Sequence, residues 1–162
     1  MKILLVYYSK TGVTKRVALT LSEKLKAVTE ELIDKKKRTG ILGWLKGGSD
    51  GMRKIPTEIE KLKNDPAGFD IVLVGGPLWG FNSVAPAART YLADNIGKIK
   101  KTAFFMTRGG GKPSTAALED LKKIAGKKFA GSTLDIRQNN VSSPEAAEQI
   151  ARFAEEIKKL RK

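Results

Sequence analysis

The sequence predicts an α/β fold in three layers, a doubly wound five-stranded parallel sheet with helices on both faces. Near-continuous apolar runs recur at Ile3 to Tyr8, Phe69 to Val74 and Thr102 to Met106, the pattern of strands covered on both sides. Segments with helical apolar spacing lie between them. The connections are too long for hairpins, so they imply right-handed crossovers between parallel strands. A length of 162 residues suits one domain around a single core.

Taken in order, Ile3 to Tyr8 is the first strand. Val13, Val17, Leu21 and Leu25 then repeat every four residues with Ala18 beside them, while Lys15, Glu23, Lys24 and Lys26 fall on the wet face. Thr29 to Ile33 reads as the second strand, and Phe69 to Val74 as the central one. Pro86 opens a helix that carries Ala88, Leu92 and Ile96 on one stripe, because proline suits a first-turn position. After the strand at Thr102 to Met106, Ser114 or Thr115 caps a helix bearing Leu118, Leu121 and Ile124. Gly131 to Arg137 is the last strand. Ser143-Pro144-Glu145 supplies a cap, a first-turn proline and an acid ahead of Ile150, Phe153, Ala154, Ile157 and Leu160 at helical spacing.

Residues at about 35–55 fit this alternation poorly. Gly40, Gly43, Gly47, Gly48 and Gly51 surround Ile41, Trp44 and Leu45, more irregular chain than a compact crossover needs. Either those three apolar residues form a helical turn that pins the loop to the core, or the loop is a lid or partner surface with Trp44 exposed.

Composition removes several chemistries. The chain has no Cys and no His, which excludes disulfides, thiolate metal sites, cysteine nucleophiles and Ser-His triads, and leaves no expected metal site or catalytic side chain. Thirty-one Lys and Arg against 17 Asp and Glu give a formal charge of +14, which favours acidic partners. The positive residues are spread along the chain, as on a solvated surface, so nucleic acid is not an expected partner. The first apolar run is too short for a signal-peptide core or a membrane span, so a cytoplasmic protein without membrane insertion is expected.

In an open parallel sheet, ligands bind beyond the carboxyl ends of the strands where strand order reverses. Three segments therefore matter. The first, Ser9-Lys10-Thr11-Gly12-Val13-Thr14, has three hydroxyls just before and at a helix start, where unpaired N–H groups and the helix dipole favour an anion such as phosphate. Helix capping alone also explains these hydroxyls. Neither Gly-x-x-x-x-Gly-Lys-Ser/Thr nor Gly-x-Gly-x-x-Gly occurs here, which argues against a nucleoside triphosphate or a dinucleotide. The second segment runs through Gly75, Gly76, Pro77, Leu78, Trp79, Gly80, Phe81 and Asn82 and suits a flat aromatic ligand, although packing explains either aromatic residue separately. The third, Thr107-Arg108-Gly109-Gly110-Gly111-Lys112, has three consecutive glycines that allow close approach of another group or make a plain flexible turn.

At these three segments the chain resembles the flavodoxin family, over nearly its whole length. Ser9 to Thr14 is similar to that family's hydroxyl-rich phosphate loop, and Gly76-Pro77-Leu78-Trp79-Gly80 follows at the family's distance. The resemblance implies strand order 2-1-3-4-5 and noncovalent FMN; flavodoxin is also the standard example of a cofactor at this switch point. It implies that Ser9, Lys10, Thr11, Gly12, Val13 and Thr14 form the phosphate loop. Pro77, Leu78, Trp79, Gly80, Phe81 and Asn82 would flank the ring, with Trp79 stacked on it and a partly exposed ring edge near Trp79 and Phe81. Thr107, Arg108, Gly109, Gly110 and Gly111 would complete its polar edge.

The flavin then supplies the chemistry, and the protein sets its potential and access. Electron transfer between protein partners is the expected function, with an acidic redox partner; the alternative is an FMN-dependent NAD(P)H:quinone-type reductase. A basic binding module without flavin is a third reading. The net charge departs from the acidic character of typical electron-carrying flavodoxins. Arg108 beside the ring would stabilise an anionic reduced flavin and so favour two-electron chemistry.

Overall fold

A computed structural model describes residues 1–36, 42, 43, 46, 49, 50, 53–110 and 112–160. Five parallel strands form the sheet: β1 (Ile3–Tyr7), β2 (Val28–Glu31), β3 (Ile71–Trp79), β5 (Thr102–Arg108) and β6 (Phe129–Arg137), in the order β2-β1-β3-β5-β6. A two-residue strand that the sequence reading did not anticipate, β4 (Ser83–Val84), pairs antiparallel with the end of β3. Without it, the parallel order is the expected 2-1-3-4-5.

Helices α1 (Val13–Leu25), α2 (Pro86–Asn95), α3 (Thr115–Ala125) and α4 (Pro144–Lys159) cover the sheet. Alternation along the strands divides the core in two. Ile3, Leu5, Tyr7, Leu73 and Phe105 pack with Val17 and Leu21 of α1 and Ile150, Phe153 and Ile157 of α4. Leu4, Val6, Val72, Val74, Phe104 and Met106 face Ala88, Tyr91 and Leu92 of α2 and Leu118 and Leu121 of α3. Both faces of the sheet's centre are therefore dry. That is why the central strands β1, β3 and β5 read as near-continuous apolar runs.

The helix starts follow the sequence in two places. Pro86 occupies the first turn of α2, and the Ser143 hydroxyl accepts from the Ala146 N–H at 3.2 Å ahead of Pro144. Among the described residues, no helix is long and apolar enough to cross a membrane.

Several boundaries differ from expectation. The second strand is Val28–Glu31 rather than Thr29 to Ile33, because the chain then turns to pair with residues 58–60. Glu60 N–H donates to Ile33 O and Lys35 N–H to Glu58 O, both at 2.9 Å, around an antiparallel bridge between Asp34 and Ile59. The central strand begins at Ile71 and runs through Gly75, Gly76, Pro77 and Leu78 to Trp79 instead of ending at Val74. Gly75 makes this possible: a Cβ there would lie 2.1 Å from Phe105 Cζ, so the ring of β5 occupies the space of the missing side chain. The last strand starts at Phe129, ahead of Gly131, where a positive φ of 87° accompanies a register break against β5. The expectations for Ile41, Trp44 and Leu45, and for Gly40, Gly47, Gly48 and Gly51, lie outside the described residues.

Candidate functional site

Parallel pairing brings the C-terminal ends of β1, β3, β5 and β6 to one edge of the sheet. The chain between β1 and α1 is the loop expected from the sequence. Gly12 stands at the helix boundary with φ 87°, a left-handed conformation that glycine takes without strain. Its carbonyl accepts from the Arg16 N–H at 3.0 Å. The cap is not a Ser or Thr at the boundary; instead, Ser9 Oγ accepts from the Lys15 N–H at 3.1 Å from outside the helix. The N–H groups of Val13 and Thr14 head the first turn, where a helix offers no internal acceptors. Lys10, Thr11 and Gly12 are exposed, and a Cβ on Gly12 would meet nothing within 4 Å. An anion can approach this end.

Thr14 behaves differently from the rest of that loop. It is buried, and its hydroxyl shares a hydrogen bond of 2.7 Å with the hydroxyl of Thr107 at the end of β5. The first and third segments are thereby tied together beneath the surface. Below the loop, the Tyr7 hydroxyl donates to Glu31 Oε2 at 3.3 Å and the Lys15 ammonium to the same oxygen at 2.7 Å. Burial, reinforced by the adjacent Glu31 charge, pushes the Tyr7 phenol up to about 12, so it stays a proton donor at neutral pH.

Beyond β3 and β5 lies a cavity of about 430 Å³ lined by Leu78, Trp79, Gly80, Asn82, Arg108, Gly109, Gly110, Lys112 and Gln138. That volume is within the range of small-molecule and cofactor sites. Asn82 reaches the wall with φ 54°, in the left-handed region that Asn tolerates better than most side chains. Ser83 Oγ donates to the buried Gly80 carbonyl at 2.9 Å and fixes that corner. The first loop touches the same wall: Lys10 Nζ stands 5.1 Å from the centroid of the Trp79 ring.

Two residues of this wall are held by their neighbours. Trp79 is only 4% exposed, with the Tyr8 ring tilted against it at 6.1 Å. Neighbouring chain covers it because β3 carries it inward as the last residue of a buried strand. Arg108 is not a lone cation. Its Nε donates to Asp135 Oδ1 at 2.9 Å and Oδ2 at 3.0 Å, and its Nη1 to the Gly110 carbonyl at 2.9 Å.

Of the expected site residues, the cavity gathers Leu78, Trp79, Gly80, Asn82, Arg108, Gly109 and Gly110. Pro77 and Thr107 lie in the strands behind it, and Ser9 to Thr14 form the separate helix-head loop beside it. Gly111 and the side chain of Phe81 lie outside the description. Gln138 was missed, although it directly follows the last parallel strand and so had to arrive at this edge. Of the two expected caps, Ser114 or Thr115, Ser114 holds the boundary position of α3, but its hydroxyl donates to Asp135 Oδ1 at 3.0 Å rather than capping the helix.

Solved structures with this fold include a flavoprotein from Lactobacillus acidophilus in complex with FMN, 22% identical, with a TM-score of 0.67 over 87% of this chain and 95% of that one. A protein from Bacteroides uniformis described as a flavoprotein is 21% identical, with a TM-score of 0.76 over 95% and 97%. Flavodoxin 2 from Bacillus cereus is 17% identical, with a TM-score of 0.64 over 99% of each chain. The fold is that of the flavodoxins. No family model matches the sequence, and no curated protein matches it. The likeness resides in a flavodoxin backbone that this sequence reaches with few shared side chains.

The residues at the edge fit FMN. An accessible helix head lies beside a cavity with an aromatic wall, two side-chain amides and the exposed glycines Gly109 and Gly110. A Cβ on Gly110 would meet nothing within 4 Å, so the backbone there is open to close approach.

Proposed function

We propose that this chain binds FMN noncovalently and acts as a flavodoxin-like redox protein that passes electrons between protein partners. The observation that carries the reading is the adjacency of the helix-head loop at Ser9 to Thr14 and the cavity at the ends of β3 and β5, at the switch point of a flavodoxin fold. The FMN complex of the Lactobacillus acidophilus flavoprotein supports it.

In this reading Ser9, Lys10, Thr11, Gly12, Val13 and Thr14 hold the phosphate, chiefly through N–H groups at the head of α1. Leu78, Trp79, Gly80 and Asn82 supply one wall for the ring, and Arg108, Gly109, Gly110 and Gln138 the other. Bound FMN supplies one- and two-electron redox chemistry; the protein supplies orientation, electrostatics and access. Exposed Lys10 and Lys112 leave the rim positive, which suits an acidic protein partner. The same two lysines favour a second reading, an FMN-dependent NAD(P)H:quinone-type reductase, because they also attract a small anionic reductant.

Titration of the purified FMN-free chain with FMN tests the cofactor, with one flavin bound per chain and a shifted visible spectrum expected. Adding NADH or NADPH to the loaded protein separates the two readings. An electron carrier leaves the nucleotide unoxidised, whereas a reductase consumes it. A chain that FMN does not bind overturns both.

A further inference from the structure

Asp135 lies in β6, opposite Met106 of β5, and is absent from the three segments that the sequence singles out for a ligand. Its carboxylate nevertheless holds both ends of the segment that follows β5. Oδ1 accepts from Arg108 Nε at 2.9 Å and from the Ser114 hydroxyl at 3.0 Å; Oδ2 accepts from Arg108 Nε at 3.0 Å and from the Ser114 N–H at 2.9 Å. Arg108 Nη1 then reaches the Gly110 carbonyl inside the segment. Ser114 is fully buried, and the side chains of Arg108 and Asp135 are 13% and 21% exposed.

Core packing does not account for this arrangement. The residues it fixes include Gly109, Gly110 and Lys112, all exposed, and the two glycines have no side chain to bury. Ordering glycine costs more backbone entropy than ordering any other residue. What these residues share is the cavity wall. A wall held in place before a ligand arrives spares binding the cost of ordering it.

We infer that Asp135 is a positioning residue of the cofactor cavity, clamping the Arg108–Ser114 segment in its binding geometry and offsetting the Arg108 charge beside the ligand. The inference rests on the FMN reading and adds to it a residue and an electrostatic role. Removing the carboxylate leaves the guanidinium uncompensated, which stabilises an anionic reduced ligand and raises its midpoint potential. Removing the guanidinium leaves the carboxylate uncompensated and lowers it. A role confined to stability does not produce shifts of opposite sign.

The test compares wild type with Asp135→Asn, Arg108→Gln and the milder Ser114→Ala, which retains the ion pair. Amide hydrogen exchange is read in the FMN-free chains, and FMN affinity and the two-electron midpoint potential in the loaded ones. Asp135→Asn is expected to speed exchange at Gly109, Gly110 and Lys112 without changing β1 or β3. It should weaken FMN by about tenfold or more, with Ser114→Ala in between. The midpoint should rise in Asp135→Asn and fall in Arg108→Gln. Unchanged affinity in Asp135→Asn and Ser114→Ala, or shifts of the same sign in Asp135→Asn and Arg108→Gln, overturns the positioning role while the cofactor reading stands. A wild-type chain that takes up no FMN overturns both, whatever the exchange rates.

Discussion

The hydroxyls of Thr14 and Thr107 meet at 2.7 Å in the interior, joining the first turn of α1 to the last residues of β5. Each is the other's hydrogen-bond partner, and neither side chain is accessible to water. Replacing either one with Val leaves the remaining hydroxyl buried without its partner. Each single variant is expected to lose about 1–3 kcal/mol in urea unfolding, the desolvation penalty of a stranded polar group. Replacing both with Val removes the stranded group as well as the bond. The double variant should therefore cost clearly less than the sum of the two, and additive losses would show that the pair is not coupled.

Gly75 and Phe105 occupy one volume between them. With the Cβ of an alanine placed 2.1 Å from the ring of a register partner, Gly75→Ala forces the ring or the strand to move in a fully buried sheet. Overpacking of this kind costs about 1–3 kcal/mol or more. Thermal melts should show Gly75→Ala clearly destabilised. Adding Phe105→Leu should return part of the loss by vacating the ring position, whereas Phe105→Leu alone should be destabilising.

Asp120 joins α3 to α2 by accepting from Arg89 Nε at 2.7 Å, and Lys54 Nζ lies 2.8 Å from its other oxygen. Partial burial raises its pKa, but the hydrogen bonds and charges of Lys54 and Arg89 outweigh burial and hold it below its usual value of 3.8. A carboxyl with a depressed pKa in the fold contributes stability above its unfolded value. That contribution is lost as pH falls through the folded value, because the unfolded chain takes up the proton first. Wild type should therefore lose stability below about pH 4 more steeply than Asp120→Asn. At neutral pH the variant should be less stable by about 1–3 kcal/mol. Parallel pH profiles of melting temperature for the two proteins would refute this.

The sheet was legible because its central strands β1, β3 and β5 are buried on both faces, which makes runs such as Ile71 to Val74 apolar at every position. The end of β3 was not. Gly75 and Gly76 resemble a loop in sequence, and only the Phe105 ring across the ladder shows why glycine stands in a strand there. The site divides in the same way. Ser9 to Thr14 and the residues around Trp79 stand out by local composition, whereas Asp135 and Gln138 reach the same edge only after folding. The partner of Arg108 is out of sight in the sequence for that reason: Asp135 lies 27 residues away. The Tyr8 and Lys10 contacts of Trp79 likewise depend on β1 and β3 lying side by side.

Gly12 offers a test of the phosphate end independent of the ring end. Its φ of 87° is a region that side chains avoid, yet nothing crowds the place where a Cβ would go. Gly12→Ala is therefore strained by backbone conformation alone, at a cost of about 1–3 kcal/mol, which the loop can relieve by turning away from the helix axis. Such a turn moves the N–H groups of Val13 and Thr14 without disturbing Leu78, Asn82 or Gln138 on the cavity wall. FMN and riboflavin share the ring system and differ by the phosphate. Titrations with both should show Gly12→Ala weakened for FMN by about tenfold or more, with riboflavin affinity close to that of wild type. Equal losses for the two ligands would place the phosphate away from the head of α1.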